Sequence, residues 1–166
     1  MSRHRWAAGL VAPEPGERLL EIGYGPGLTA ASVLEHLGDG RLLGVDRSAK
    51  MAAAAARRNA RAVAEGRAEF RVGDWPPVPQ LSGPAFDKAY AFNVRLLWTD
   101  ADAVTAVRRV LAPGGSLYVF LQLPPPSGPQ LDAVAAQAER TLDEAGFRAA
   151  GVDRDGECLC VRGRRA

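Results

Sequence analysis

The sequence predicts a doubly wound α/β fold: a mostly parallel sheet with helices on both faces and an antiparallel pair at one edge. Three observations point there. Short apolar runs alternate with helical stretches through five units, the pattern that builds a parallel sheet. The first run, Leu19-Leu20-Glu21-Ile22, passes straight into Gly23-Tyr24-Gly25-Pro26-Gly27 and then a helix. Such a turn carries backbone N–H groups up to a ligand. Finally, two strand-like runs flank Asp153-Arg154-Asp155-Gly156 near the C-terminus, which reads as a hairpin.

Taken in order, residues 3–11 form a short helix, stopped by Pro13-Glu14-Pro15-Gly16. The first strand covers 17–23, and its glycine turn opens a helix running to about Leu37. Residues 41–46 read as a second buried strand with Asp46 at its end. Ser48 is an N-cap for one long Ala- and Arg-rich helix over 49–65, closed by Gly66. Residues 68–73 alternate as a third strand and lead into Asp74. Prolines at 76, 77, 79 and 84 make 75–84 a loop. A fourth strand over 86–92 ends at Asn93, and a helix over 100–111 leads to a tight turn at Pro113-Gly114-Gly115. The fifth strand covers 116–121. After the proline-rich stretch 124–129, a helix over 130–145 precedes the hairpin strands 147–152 and 157–162.

The chain of 166 residues is most simply one domain over 1–166, large enough for a core without disulfides or metal. Its 47% apolar and 24% charged residues are ordinary for a globular protein. No apolar run approaches the ~20 residues of a membrane span, and the basic start has no apolar signal core behind it. These features predict a cytoplasmic protein without a membrane partner. The net charge of +2 is only a mild basic bias. The densest cluster, Arg162-Gly163-Arg164-Arg165, has no interleaved aromatics and reads as a solvated tail rather than a nucleic-acid contact. Cys158 and Cys160 share one strand face and lack the further ligands of a zinc site, so they are expected as free thiols with no metal. A homo-oligomer fits this composition equally well.

In such a sheet the ligand sits at the carboxyl ends of the strands. There the sequence sets Gly23, Gly25 and Gly27, then Asp46, Gly73-Asp74-Trp75 and Asn93. Asp46 falls about 20 residues past the turn, where an acid accepts ribose hydroxyls. Asp74 can accept from an adenine amino group, with Trp75 beside the ring. The dinucleotide fingerprint G-x-G-x-x-G would need glycine at position 28, which is Leu28. Glu21 before the turn suits an amino-acid ammonium better than a pyrophosphate. The ligand implied has an amino-acid end, a ribose and a base, which favours S-adenosylmethionine.

These residues also carry a family likeness. The chain resembles class I S-adenosylmethionine-dependent methyltransferases over nearly its whole length. Leu20-Glu21-Ile22-Gly23-Tyr24-Gly25-Pro26-Gly27 is similar to their first motif, on the methionine part and ribose. Gly44-Val45-Asp46-Arg47-Ser48 resembles the second, on the ribose hydroxyls, and Gly73-Asp74-Trp75 the third, on adenine. Phe86-Asp87-Lys88-Ala89-Tyr90 through Asn93 occupies the fourth. Leu111-Ala112-Pro113-Gly114-Gly115-Ser116-Leu117 resembles the turn before strand five. The resemblance implies seven strands in the order 3-2-1-4-5-7-6 with strand seven antiparallel. Two departures stand out. Tyr24 replaces a small residue, which would let a phenol border the methyl-transfer space. Arg47 replaces an apolar residue, so that a guanidinium could stack on adenine.

Methyl transfer from a sulfonium needs alignment and desolvation first, and a base only if the nucleophile must lose a proton. His4, His36, Asp100 and the tyrosines are the candidate bases, and no catalytic residue is assigned among them. His36 reads as a surface residue and Asp87 as a structural acid. The N-terminal segment can fold over the cofactor mouth, which makes His4 and Trp6 candidate substrate residues, with Trp98 a third wall. No Asn/Asp-Pro-Pro-Tyr/Phe run follows strand four, where Ala91-Phe92-Asn93-Val94 stands. Neither a paired-glutamate loop nor a catechol-type carboxylate set is visible. A small-molecule substrate, with no nucleic acid, is what remains. The alternative is a non-catalytic S-adenosylmethionine-binding subunit or pseudoenzyme, and a nicotinamide oxidoreductase is disfavoured by Leu28 and Glu21.

Overall fold

A computed structural model describes residues 2–77, 81–124 and 128–166. The expected loop over 75–84 and the stretch 124–129 lie partly outside them.

Strand β1 (Arg18–Ile22) leads through the glycine turn into α2 (Leu28–Leu34), behind an N-terminal α1 (Arg3–Val11). Then come β2 (Arg41–Asp46), α3 (Ala49–Arg58), α4 (Ala60–Ala64) and β3 (Ala68–Val72). After β4 (Phe86–Phe92) follow α5 (Leu96–Thr99), α6 (Ala101–Val110), β5 (Leu111–Gln122) and α7 (Gly128–Glu144). The hairpin is β6 (Phe147–Asp155) and β7 (Cys158–Arg165). The sheet order is β3-β2-β1-β4-β5-β7-β6, parallel through its first five strands, with β7 antiparallel to both neighbours. This is the order that the resemblance implies.

Strand alternation builds two cores. Leu20 and Ile22 of β1, with Leu117, Val119 and Leu121 of β5, meet Leu97, Val104, Val107, Leu131 and Leu142 of α5, α6 and α7. Leu19, Tyr118 and Phe120 point the other way, onto Ala7, Val11, Ala30, Val33 and Ala62 of α1, α2 and α4. Helices therefore cover both faces, and the carboxyl ends of β1 to β5 form one rim.

The structure refines several boundaries. The single helix expected over 49–65 is broken at Asn59, whose φ and ψ of −109° and 29° are not helical. Its buried amide donates to the carbonyls of Gly27 (3.2 Å) and Ala55 (3.0 Å), so a contact with the glycine turn interrupts the helix. The Pro113-Gly114-Gly115 turn is a bulge inside one long β5. Phe86 pairs with Leu111, and Lys88 already pairs with Ser116. Gly115 has no room for a side chain there, since a Cβ would stand 2.9 Å from the Asp87 carbonyl oxygen. Residues 162–165 are not a solvated tail but the end of β7. Arg162 pairs with Asp153 at 2.7 Å, and the Arg165 guanidinium donates to the Arg108 and Leu111 carbonyls. Cys158 and Cys160 are buried free thiols. Among the described residues no helix is long and apolar enough to cross a membrane, and no group of three His, Cys, Asp or Glu could hold a metal.

Candidate cofactor and acceptor site

The glycine turn is held in its shape by three neighbours. Gly23, Gly25 and Gly27 all take left-handed φ, at +70°, +51° and +77°. A side chain would strain each of them. The Gly23 N–H donates to the Val45 carbonyl at 2.7 Å, and the Gly25 N–H donates to Asp46 Oδ2 at 2.9 Å. On its outer side Gly27 lies so close to α3 that a Cβ would stand 2.9 Å from Ala55 Cα. At Gly25 the same position is open, with nothing within 4 Å. The turn is thus fixed by β2 and α3 and bare where a ligand would approach.

A cleft of about 460 Å³ runs along the rim from this turn. It brings together Gly23, Asp46, Arg47, Gly73, Asp74, Trp75 and Asn93, which lie far apart in sequence. The half-buried Asp46 also accepts from the Ser48 N–H through Oδ1 at 2.9 Å. Each carboxylate oxygen is then oriented by one backbone bond and keeps a lone pair for a ligand hydroxyl. Trp75 stands as a wall whose indole N–H donates to the Ala103 carbonyl at 2.9 Å. Asn93 takes φ +57°, and its Oδ1 accepts from the Gln122 N–H at 2.8 Å, tying the ends of β4 and β5 together.

Other predicted residues stand elsewhere. The Tyr24 phenol does not border the transfer space. Its ring lies edge-on to Phe70 with centroids 5.0 Å apart, and its hydroxyl donates to the Arg71 carbonyl at 3.0 Å. Burial, with Asp46 and Glu21 next in weight, pushes its pKa up to about 12, so it stays a neutral donor. The ring sits against Gly44, where a Cβ would meet Tyr24 Cδ1 at 2.6 Å. Glu21 is 2% exposed and accepts from the Tyr90 hydroxyl at 3.1 Å, off the cleft. Strand alternation sends it with Leu19 toward the α1 and α2 side. Burial pushes its carboxyl up to about 8, although the Tyr90 bond opposes this. Trp6 packs edge-on against Phe120 at 5.7 Å, and Trp98 packs on the α5–α7 core. Neither lines the cleft. Asp100 caps α6 by accepting from the Asp102 and Ala103 N–H groups, Asp87 accepts from the Arg18 N–H, and His36 is exposed.

His4 does reach the rim. Its Nδ1 lies 2.9 Å from Thr29 Oγ1 in the first turn of α2, and its ring is 5.9 Å from that of the cleft-lining Phe92. Arg3 Nε donates to His4 Nε2 at 3.2 Å. With Nε2 accepting, the proton of the neutral ring sits on Nδ1 and points to Thr29. Burial first, then Arg3 and Arg58, hold the His4 pKa below its usual value.

Sequence reasoning missed Asn59 and Gln122. Asn59 gave no signal beyond a polar residue in an Ala- and Arg-rich helix. Gln122 could have been found as the polar residue ending a buried strand.

The fit to S-adenosylmethionine can be judged from these residues. The cleft volume falls in the range of small-molecule sites. Asp46 offers an oriented carboxylate for two hydroxyls, Trp75 a flat wall, and Gly25 an open backbone. The group fits.

Known proteins agree with this geometry. The profile of the methyltransferase domain family matches residues 19–115. The chain is 37% identical over 108 residues to ribosomal RNA large subunit methyltransferase G of Streptomyces avermitilis, covering 63% of this chain and 28% of that protein. It is 32% identical over 142 residues to nocamycin O-methyltransferase of Saccharothrix syringae, covering 78% of this chain and 50% of that one. The chain therefore spans half or less of these two curated relatives. Among solved structures, a SAM dependent methyltransferase from Aquifex aeolicus superposes with a TM-score of 0.81 at 17% identity, covering 99% of this chain and 90% of that one. A [4+2]-cyclase, SpnF, superposes at 0.74 and 21% identity, with 97% and 81% covered. The chain belongs to the class I S-adenosylmethionine-dependent methyltransferase family, whose cofactor is S-adenosylmethionine.

Proposed function

We propose that residues 1–166 act as one methyltransferase domain that passes a methyl group from S-adenosylmethionine to a small molecule. The observation that carries this reading is the Asp46 carboxylate in the cleft lining, oriented by the N–H groups of Gly25 in the glycine turn and of Ser48 at the start of α3. Asp46 would accept the ribose hydroxyls, and Asp74 the adenine amino group beside Trp75. Arg47 would lie on the open side of the base. Gly23, Gly25 and Gly27 would give the methionine part its backbone approach, with Asn93 at the far end. Glu21 would support the turn from below, since its carboxyl faces Tyr90.

The cofactor supplies a methyl group already activated by the sulfonium charge. What the chain adds is alignment and exclusion of water, from Phe92, Val94 and Leu96 on the acceptor side. His4 is the titratable group on that side, held neutral, and to take an acceptor proton its Nε2 would first have to release the Arg3 N–H that it accepts. A cytoplasmic setting suits the two free thiols.

The small-molecule class rests on missing base- and arginine-methylation motifs and on relatives such as nocamycin O-methyltransferase. The ribosomal RNA relative favours nucleic acid as a second reading. A non-catalytic binding subunit is the third, because the same fold is found in a protein described as a cyclase and so does not by itself imply methyl transfer. Incubation with methyl-labelled cofactor and either a metabolite extract or total RNA separates the three. Label in a small molecule is expected; label in RNA would replace the substrate class, and label in neither would favour a binding role.

A further inference from the structure

The acids of the rim, Asp46 and Asp74, follow β2 and β3, where a nucleoside would lie, with Arg47 beside them. Three more arginines stand around the glycine turn and the ends of β4 and β5. Arg3 bonds the Gln122 amide oxygen and lies 5.5 Å over the Phe92 ring. Arg58 Nε donates to the Pro26 carbonyl at 3.0 Å, and Arg95 lines the cleft.

Among the described residues, six of the 21 lysines and arginines have an acid beside them. Arg61, Arg67, Arg71, Lys88, Arg154 and Arg162 each form an ion pair. Among the described residues, Arg3, Arg58 and Arg95 form none. Arg3 spends one N–H on a neutral amide and one on neutral His4, which leaves much of its donor fork for an anion. His4 itself feels Arg3 and Arg58, and no carboxylate enters among the causes of its shift. Thr29, Phe92 and Gln122, packed around His4 and Arg3, are uncharged. The acids nearest this corner are Asp155 and Glu157 beside Cys158, and neither pairs with Arg3 among the described residues.

We infer that the methyl acceptor carries a carboxylate or phosphate group, and that Arg3, beside the cleft-lining Phe92, binds it together with Arg95 of the same lining. This rests on the methyltransferase reading above and names the substrate class for that same site. The remote charge explains why an arginine is held over Phe92 by a cation–π contact and a neutral amide. It is preordered, yet no internal acid neutralises it. An arriving anion on Arg3 would also offset the arginine charges that, after burial, hold the His4 pKa low. His4 would then bind a proton more readily, and anion binding would strengthen toward acid pH.

The test uses the protein loaded with S-adenosylhomocysteine, with benzoate and phenyl phosphate as probes. At least one probe should bind, at least tenfold more weakly to Arg3→Gln, whose own S-adenosylhomocysteine affinity should stay within about twofold. The His4 imidazole, followed by nitrogen NMR, should titrate at higher pH when the probe is added and not when S-adenosylhomocysteine alone is added. Absence of binding by both probes, or equal probe affinity in Arg3→Gln, overturns the inference. So does a tenfold loss of S-adenosylhomocysteine affinity in that variant, which would make the corner the cofactor's own carboxylate subsite. Failure of the methyltransferase reading looks different: S-adenosylhomocysteine would then not bind the unmodified protein, or would bind with no labelled methyl transferred in the incubation above.

Discussion

Asp46 spends each carboxylate oxygen once on the protein's own backbone, on the N–H of Gly25 and the N–H of Ser48. Those bonds aim the remaining lone pairs into the cleft before any ligand arrives. Removing them in Asp46→Ala should lower cofactor affinity by about 1.5–3 kcal/mol, an order-of-magnitude figure for hydrogen bonds to a charged group. Calorimetric titration measures it, and unchanged affinity would move the ribose elsewhere. Glu21 gives a second prediction. Its folded pKa of about 8 lies above the ordinary 4.5, so the folded state holds the proton more tightly than the unfolded state. Its contribution to stability is present below about pH 4.5 and is lost as pH rises toward 8. Glu21→Gln should flatten that decline, and urea unfolding at pH 5.5 and 8.5 reads it directly. Asp46 and Asp74 were legible in the sequence because they follow an apolar run and an alternating run that both read as strands. The directions of Glu21 and Tyr24 were not. Alternation says which residues share a face, but not which face the ligand meets.

At the scale of elements, the break between α3 and α4 is the feature that the sequence concealed. Helical propensity runs unbroken through 49–65, and only the tertiary bond from Asn59 to the Gly27 carbonyl interrupts it. Asn59→Ala should leave the Gly27 carbonyl with the Ala31 N–H alone and destabilise the fold by ~0.5–1.5 kcal/mol, the net worth of one ordinary hydrogen bond. If the bond also shapes the turn, cofactor affinity should fall with it, and Asn59→Asp should not rescue either property, since a carboxylate cannot donate. Thermal unfolding and calorimetry on the same variants separate stability from binding. The Ser48 cap, by contrast, was readable, and it accepts from the Met51 N–H at 3.2 Å. The four-residue α5 was too short for its periodicity to register, and the β5 bulge was hidden because Pro-Gly-Gly reads as a turn in either setting.

For the whole molecule, alternating strands and helices were enough to predict a parallel sheet. The terminal hairpin predicted its antiparallel edge, and the family likeness supplied the order of strands. What the pattern could not carry was the charge layout of the rim, with Asp46, Arg47 and Asp74 after β2 and β3 and Arg95 beyond β4. That layout is completed only when α1, far away in sequence, packs onto α2 and sets Arg3 and His4 beside Phe92 and Gln122. A ligand that joins these strand ends should stabilise the fold as a unit. At one hundred times its dissociation constant, binding adds about 2.7 kcal/mol, worth roughly 5–10 °C in a chain of this size. S-adenosylhomocysteine should produce such a shift and NAD should not. The most direct measurement is calorimetric titration of the protein with S-adenosylhomocysteine and, separately, with NAD. The structure predicts saturable one-to-one binding of S-adenosylhomocysteine, weakened at least tenfold in Asp46→Ala, and none of NAD. Binding of NAD with no heat from S-adenosylhomocysteine would contradict it.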